Sequence, residues 1–159
     1  MARFRNAGEG AIGAYFEPEE VRVLAGLVQE MSSVLDSGSK TGDPITERLF
    51  PAAYEDPTEQ RAYEELLGDQ LKDQKVRALA NVRDSLPSET TGELILDPDA
   101  TQDWLTVIND IRLAIGTRLD VTEEVMQKDI DPDDPDGASL AVLHWLGWVQ
   151  ESFLHELNG

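Results

Sequence analysis

Gly8-Glu9-Gly10-Ala11-Ile12-Gly13 spells G-x-G-x-x-G, the spacing that lets a tight turn aim backbone amides at a pyrophosphate. That chemistry needs a buried strand before the turn and a helix straight after it. Only seven residues precede Gly8, Phe4 is the one large aromatic among them, and no helical pattern starts before Pro18. A plain turn is expected. Ser37-Gly38-Ser39-Lys40 matches S-x-x-K and Lys40-Thr41-Gly42 matches K-T-G, yet the two share one lysine, which cannot fill both roles of a serine-nucleophile pocket. Ser39 also stands where a phosphate loop requires glycine before its lysine. A helix-ending loop fits better.

The acidic run Asp129–Gly137 invites a calcium reading, which its register does not support. Counted from Asp129, position six is Asp134 and position twelve is Leu140; counted from Asp131, position five is Pro135 and position six is Asp136. An EF-hand needs glycine at the sixth place and glutamate at the twelfth. A solvated loop that caps the next helix is expected, weak non-specific divalent binding being the other reading. His144 and His155 lie on one helix about 16 Å apart along its axis, too far to share a metal. With no cysteine there is no thiolate ligand or nucleophile. The expectation is a non-enzyme with no catalytic, cofactor-binding or metal-ligating residues.

Two helices carry more information. After Asp97-Pro98, the residues Trp104, Val107, Ile108, Ile111, Ala114 and Ile115 fall in one apolar arc, and Arg112 sits at its edge, about 80° from Trp104. A desolvated cation is costly, so a carboxylate partner is expected for Arg112. Asp110, on another face, should pair elsewhere. Leu113 lies opposite the arc, which implies a central helix covered on two sides. In the last helix Leu140, Leu143, Leu146, Phe153, Leu154 and Leu157 share one face. Trp145 and Trp148 point away from it and touch at a spacing of three. Either an internal element covers this aromatic ridge, with the Leu113 side of the preceding helix as the candidate, or a second chain docks there. Trp145 and Trp148 are thus the candidate interaction residues.

The positioning elements read as a mainly α single domain over 1–159, a bundle of four long helices plus short ones. Phe4–Asn6 and Ile12–Phe16 suggest a hairpin, and Glu93–Leu96 a strand that could join it in a small accessory sheet. The first long helix follows Pro18 and carries the stripe Val21, Leu24, Leu27, Val28, Met31, Val34 and Leu35 to about Asp36. A short turn begins at Pro44. Asp56-Pro57-Thr58-Glu59 is a strong start for a second long helix, through Tyr63, Leu67, Leu71, Ala78 and Val82 to about Asp84. The third runs from Asp97-Pro98 to about Ile115, before Gly116. A short helix is expected over Thr122–Lys128, and Asp134 or Asp136 caps the fourth long one, to Leu157.

Composition excludes several function classes. The 159 residues carry 32 acidic and 13 basic side chains, a formal charge of −19. Phosphate backbones select basic surfaces, so no direct nucleic-acid binding is expected. No apolar run approaches the ~20 residues of a membrane helix. No secretory signal is visible near Met1, and the absence of cysteine fits a cytoplasmic protein.

Three stretches carry a resemblance: Asp43-Pro44-Ile45-Thr46-Glu47-Arg48-Leu49-Phe50-Pro51-Ala52-Ala53-Tyr54, Asn109-Asp110-Ile111-Arg112-Leu113-Ala114-Ile115-Gly116-Thr117-Arg118-Leu119, and Trp145-Leu146-Gly147-Trp148-Val149-Gln150-Glu151. Together, and in this order, they resemble a small actinobacterial family classed as a domain of unknown function, whose members are often called oxidative-stress transcriptional regulator AosR. The resemblance implies a cytosolic regulator whose gene often lies beside that of the protease adaptor ClpS, acting through an alternative sigma factor and controlled by cysteine redox. This chain has no cysteine, so thiol sensing does not carry over. Arg48, Asn109, Asp110, Arg112 and Arg118 have no catalytic role implied and are expected to form a structural network. The leading expectation is a regulatory or adaptor protein binding a basic protein partner, such as a sigma factor or protease-adaptor machinery. The alternatives are a small-molecule sensor or cryptic enzyme with ligand near Arg48, Arg112 or Arg118, and a structural homodimer.

Overall fold

The computed structural model describes residues 2–36, 44–50, 54–86, 93–120, 133 and 136–158. The architecture is mainly α with a small antiparallel sheet. Strands β1 (Arg3–Gly8), β2 (Ala11–Tyr15) and β3 (Leu94–Leu96) lie in that order. The sheet has one wet and one dry face. Phe4 opposes Ala14 and Ala14 opposes Leu94, while Ile12 opposes Leu96, so the dry face is built from all three strands. On the wet face Arg3 lies over the Tyr15 ring and Arg5 pairs with Glu93. The G-x-G-x-x-G stretch is the hairpin connection: Gly8, Glu9 and Gly10 all have positive φ, 90°, 53° and 82°. Glycine tolerates that geometry without strain, which accounts for its use at two of the three positions.

The long helices are α1 (Pro18–Asp36), α4 (Asp69–Ser85), α5 (Pro98–Arg118) and α6 (Gly137–Asn158), with short α2 (Pro44–Leu49) and α3 (Pro57–Tyr63) between the first two. The α1 stripe behaves as its spacing requires: Leu24, Val28, Met31 and Leu35 are buried. Asp56 caps α3 by accepting from the Thr58 amide, and Asp97 caps α5 by accepting from the Ala100 amide. In each case proline follows in the first turn, where its missing N–H costs nothing.

Three boundaries differ from the sequence reading. The expected single helix from Pro57 to Asp84 is interrupted by a π turn at Glu64–Gly68. No α3 residue is buried and Leu66 is 76% exposed, whereas α4 buries Ala78, Leu79 and Val82. With no buried residue in α3 to hold one register, the helix widens into a π turn before the buried part of α4. Next, α5 continues through Gly116 to Arg118 and ends where Asp120 turns to φ 51°. There Thr117 returns its hydroxyl to the Leu113 carbonyl. Finally, Leu154 does not join the buried face of α6, which is Leu143, Leu146, Val149 and Phe153. The Ser37–Gly42 motifs, the Thr122–Lys128 helix and most of the Asp129–Gly137 loop lie outside the described residues.

Helix α5 is central, packed against α1, α2, α4, α6 and the sheet. The core is organised by aromatic rings. Phe16 stacks on Trp104 at 5.6 Å, Trp104 on Phe153 at 6.1 Å, and Phe4 meets Phe153 at 5.2 Å. Rings from the sheet, α5 and α6 thus fix these three elements to one another. Among the described residues, no helix is long and apolar enough to cross a membrane.

Candidate interaction site

The two most informative motifs meet where α5 and α6 pack. Gly147 has no side chain, and the Arg112 guanidinium lies across it; a Cβ there would stand 3.4 Å from Arg112 Nη2. From that position Arg112 Nη1 donates to Gln150 Oε1, one turn further along α6. The partner is an amide, not the carboxylate expected from sequence. A neutral acceptor suffices because Arg112 is only half-buried, so its desolvation is partial. Among the described residues, Arg112 Nε and His144 Nε2 are buried without a hydrogen-bond partner.

Asp110 does pair elsewhere. Lys75 Nζ of α4 donates to its Oδ1 at 2.8 Å, with side-chain exposures of 13% for Lys75 and 6% for Asp110. Burial pushes the Asp110 carboxyl above its ordinary range, against the hydrogen bond and the charge of Lys75, which pull it down.

Among the described residues, the contacts of Asp110, Arg112 and Arg118 are separate ones and none joins two members of the expected five-residue network. Asn109 and Arg48 are exposed, and Arg118 donates to Ser139 Oγ at 3.4 Å, its one hydrogen bond among the described residues. Arg118 lines an otherwise largely apolar cavity of about 250 Å³ between α1 and α5, with Leu27, Met31, Ile111 and Ile115; Arg48 and Arg112 do not line it. Among the described residues, the three arginines therefore do not meet in this cavity.

The tryptophan ridge has an internal cover, and it is not the Leu113 side of α5. Trp145 packs on Phe16 at 6.5 Å and its indole Nε1 donates to Glu20 Oε2 of α1 at 3.0 Å. The same carboxylate oxygen accepts from the Ala2 amide at 3.2 Å. Trp148 meets Phe4 of β1 edge-on at 5.7 Å. Both tryptophans are half-buried. Trp145 is thus held by the start of α1, while Trp148 keeps one side uncovered at the outer end of the ring cluster.

Sequence reasoning missed Lys75, Gly147, Gln150, Glu20 and Phe4 as partners in these contacts. Gly147 and Gln150 had a readable signal, since they sit three residues apart on one helical face. Lys75 had none; it lies in the polar stretch Asp73-Gln74-Lys75 with nothing to mark it as buried.

Replacing Arg112 with alanine is expected to cost about 1–2 kcal/mol, the loss of one charged hydrogen bond that leaves a half-buried amide unsatisfied. Urea denaturation measures it, and an unchanged midpoint would mean that the contact with Gln150 contributes nothing.

Comparison with known proteins finds relatives that span most of the chain. A Mycobacterium leprae protein carrying the AosR oxidative stress regulator name is 29% identical over 168 aligned residues, spanning 84% of this chain and 76% of its own. "Oxidative stress regulator AosR" of Mycobacterium tuberculosis H37Rv is 27% identical over 176, spanning 89% and 80%. No solved structure matches the chain significantly. The family described as "Domain of unknown function (DUF2017)" matches residues 1–157, from the first strand to the last turn of α6, and the chain belongs to that family.

Proposed function

We propose that this protein is a non-enzymatic cytoplasmic regulator that works by binding a protein partner, a sigma factor or another component of the transcription machinery. The observation that carries the reading is Trp148, half-covered by Phe4 and open on its other side, on a chain of charge −19. Large rings left partly open at a surface serve as anchors for partners. The acidic field steers basic surfaces and repels nucleic-acid phosphates. The name of the mycobacterial relatives, oxidative stress regulator, supports a regulatory role. Without cysteine, the signal reaches this protein by a route other than its own thiols.

The test is a gene deletion in the native host, with transcripts compared before and after peroxide, and complementation by the wild-type gene. The expected result is a restricted set of altered transcripts restored by complementation, recovery of transcription-machinery subunits with the tagged protein, and no gel shift of promoter DNA by the purified chain. An unchanged transcript profile would overturn the regulatory reading.

A further inference from the structure

At the outer face of Trp148, between β1 and the last turns of α6, lies an open cavity of about 360 Å³. Its floor is aromatic: Trp148 and Phe4, edge-on to each other at 5.7 Å. Its rim is acidic. Glu151 and Glu156 line it, with His155 between them. Among the described residues, neither of these carboxylates has a basic partner. Spacings of three and four residues from Trp148 through Glu151, Ser152, His155 and Glu156 place all of them along one face of the helix. That face belongs to the C-terminal end of α6, where the helix dipole presents its negative pole. The opposite wall is held in place, because Asn6 Nδ2 of β1 donates to the Glu156 carbonyl at 2.8 Å.

An indole, two carboxylates and a negative helix end around one cavity all favour the same guest, a cation with a flat apolar surface. Arginine meets that description better than lysine. Its guanidinium is planar, stacks on aromatic faces, is weakly hydrated and forks onto carboxylates. We propose that this cavity receives an arginine side chain from the protein partner. The inference rests on the partner-binding reading above and assigns it a site and a chemistry. Glu151 and Glu156 fix the cation and Trp148 stacks on it.

The test uses the full ¹⁵N-labelled chain in low-salt buffer at neutral pH. The probe is acetyl-arginine amide, and the signal is the indole N–H resonance of Trp148, assigned with Trp148→Phe. The expected result is a saturable millimolar shift. Acetyl-citrulline amide, which has the same shape without the charge, should leave the resonance in place. The double variant Glu151→Gln, Glu156→Gln should weaken the probe by about fivefold or more, since both carboxylates are lost. These glutamates lie at the rim, so the variant separates binding from folding. No saturable shift, an equal response to citrulline, or full affinity in the double variant would overturn the assignment. So would tighter binding of free arginine than of its amide, because that would make the cavity an amino-acid site.

The deletion experiment is independent of these titrations. If the double variant complements the deletion fully, the cavity is not the partner's site and the regulatory reading stands alone. If the amide binds but deletion changes no transcript, the regulatory reading falls and the cation site stands.

Discussion

Lys75→Met is expected to lower the unfolding free energy by about 3–5 kcal/mol at neutral pH, because it leaves the buried Asp110 carboxylate without its cation. Asp110 is 5% exposed, and Lys75 Nζ donates to it at 2.8 Å. The pH dependence has a definite sign. Burial already raises the native carboxyl above its usual 3.8, so in that window the folded chain binds more protons than the unfolded one. The stability from this group is fully present in acid and is lost as pH rises through the raised native value. Removing Lys75 takes away the two influences that pull that value down. The loss in Lys75→Met then extends to higher pH than in the wild type. Urea midpoints measured across a pH series would show the variant approaching the wild type in acid and diverging toward neutrality. Asp110→Asn in the same background should recover part of the loss, as it removes the stranded charge. An unchanged midpoint at neutral pH would show that the pair is not desolvated.

Trp104→Ala should cost about 3–5 kcal/mol, in the range for emptying a large aromatic site. Trp104 is 1% exposed and lies between Phe16 and Phe153, stacked on both. Its indole Nε1 also donates to Ser85 Oγ at 2.9 Å, which ties the end of α4 to α5. The alanine variant loses the ring, both stacking partners and that hydrogen bond. Trp104→Phe should retain more than half of the stability while still losing the contact with Ser85. Thermal melts and near-ultraviolet circular dichroism report both effects. A melting temperature within a degree or two of wild type would mean that the ring cluster is not the keystone of the core.

The elements were legible wherever local chemistry alone decides them. Asp56-Pro57 and Asp97-Pro98 announce helix starts because the capping oxygen and the proline act within three residues. The α1 stripe and the hairpin follow from periods of 3.6 and 2. Partners across the fold were not legible. The half-buried state of Arg112 depends on the absent side chain of Gly147, and its acceptor Gln150 is 38 residues away. Charge pairing suggested a carboxylate, but packing brought an amide. The cover of the tryptophan ridge was mistaken for similar reasons. Two short residues of pattern, Phe4 and Phe16, outweighed Leu113 because the small sheet folds over α6, which no local period reveals. The site itself was half legible: Trp148 stood out by type and spacing, but the Phe4 wall that shapes the cavity did not.

The bond from Asn6 to the Glu156 carbonyl joins residues 150 apart in the chain. A ribosome needs roughly 8–30 s to travel that far. For most of that interval Phe4 and Phe16 have been made, but Phe153, the ring that closes over Phe4 at 5.2 Å, has not. The N-terminal hairpin can pack on α5 through Phe16 and Trp104, but its Phe4 side waits for the last helix. The ring cluster is then completed only once α6 has been made, and a nascent chain stalled before α6 should be recognised by chaperones and proteases as unfinished.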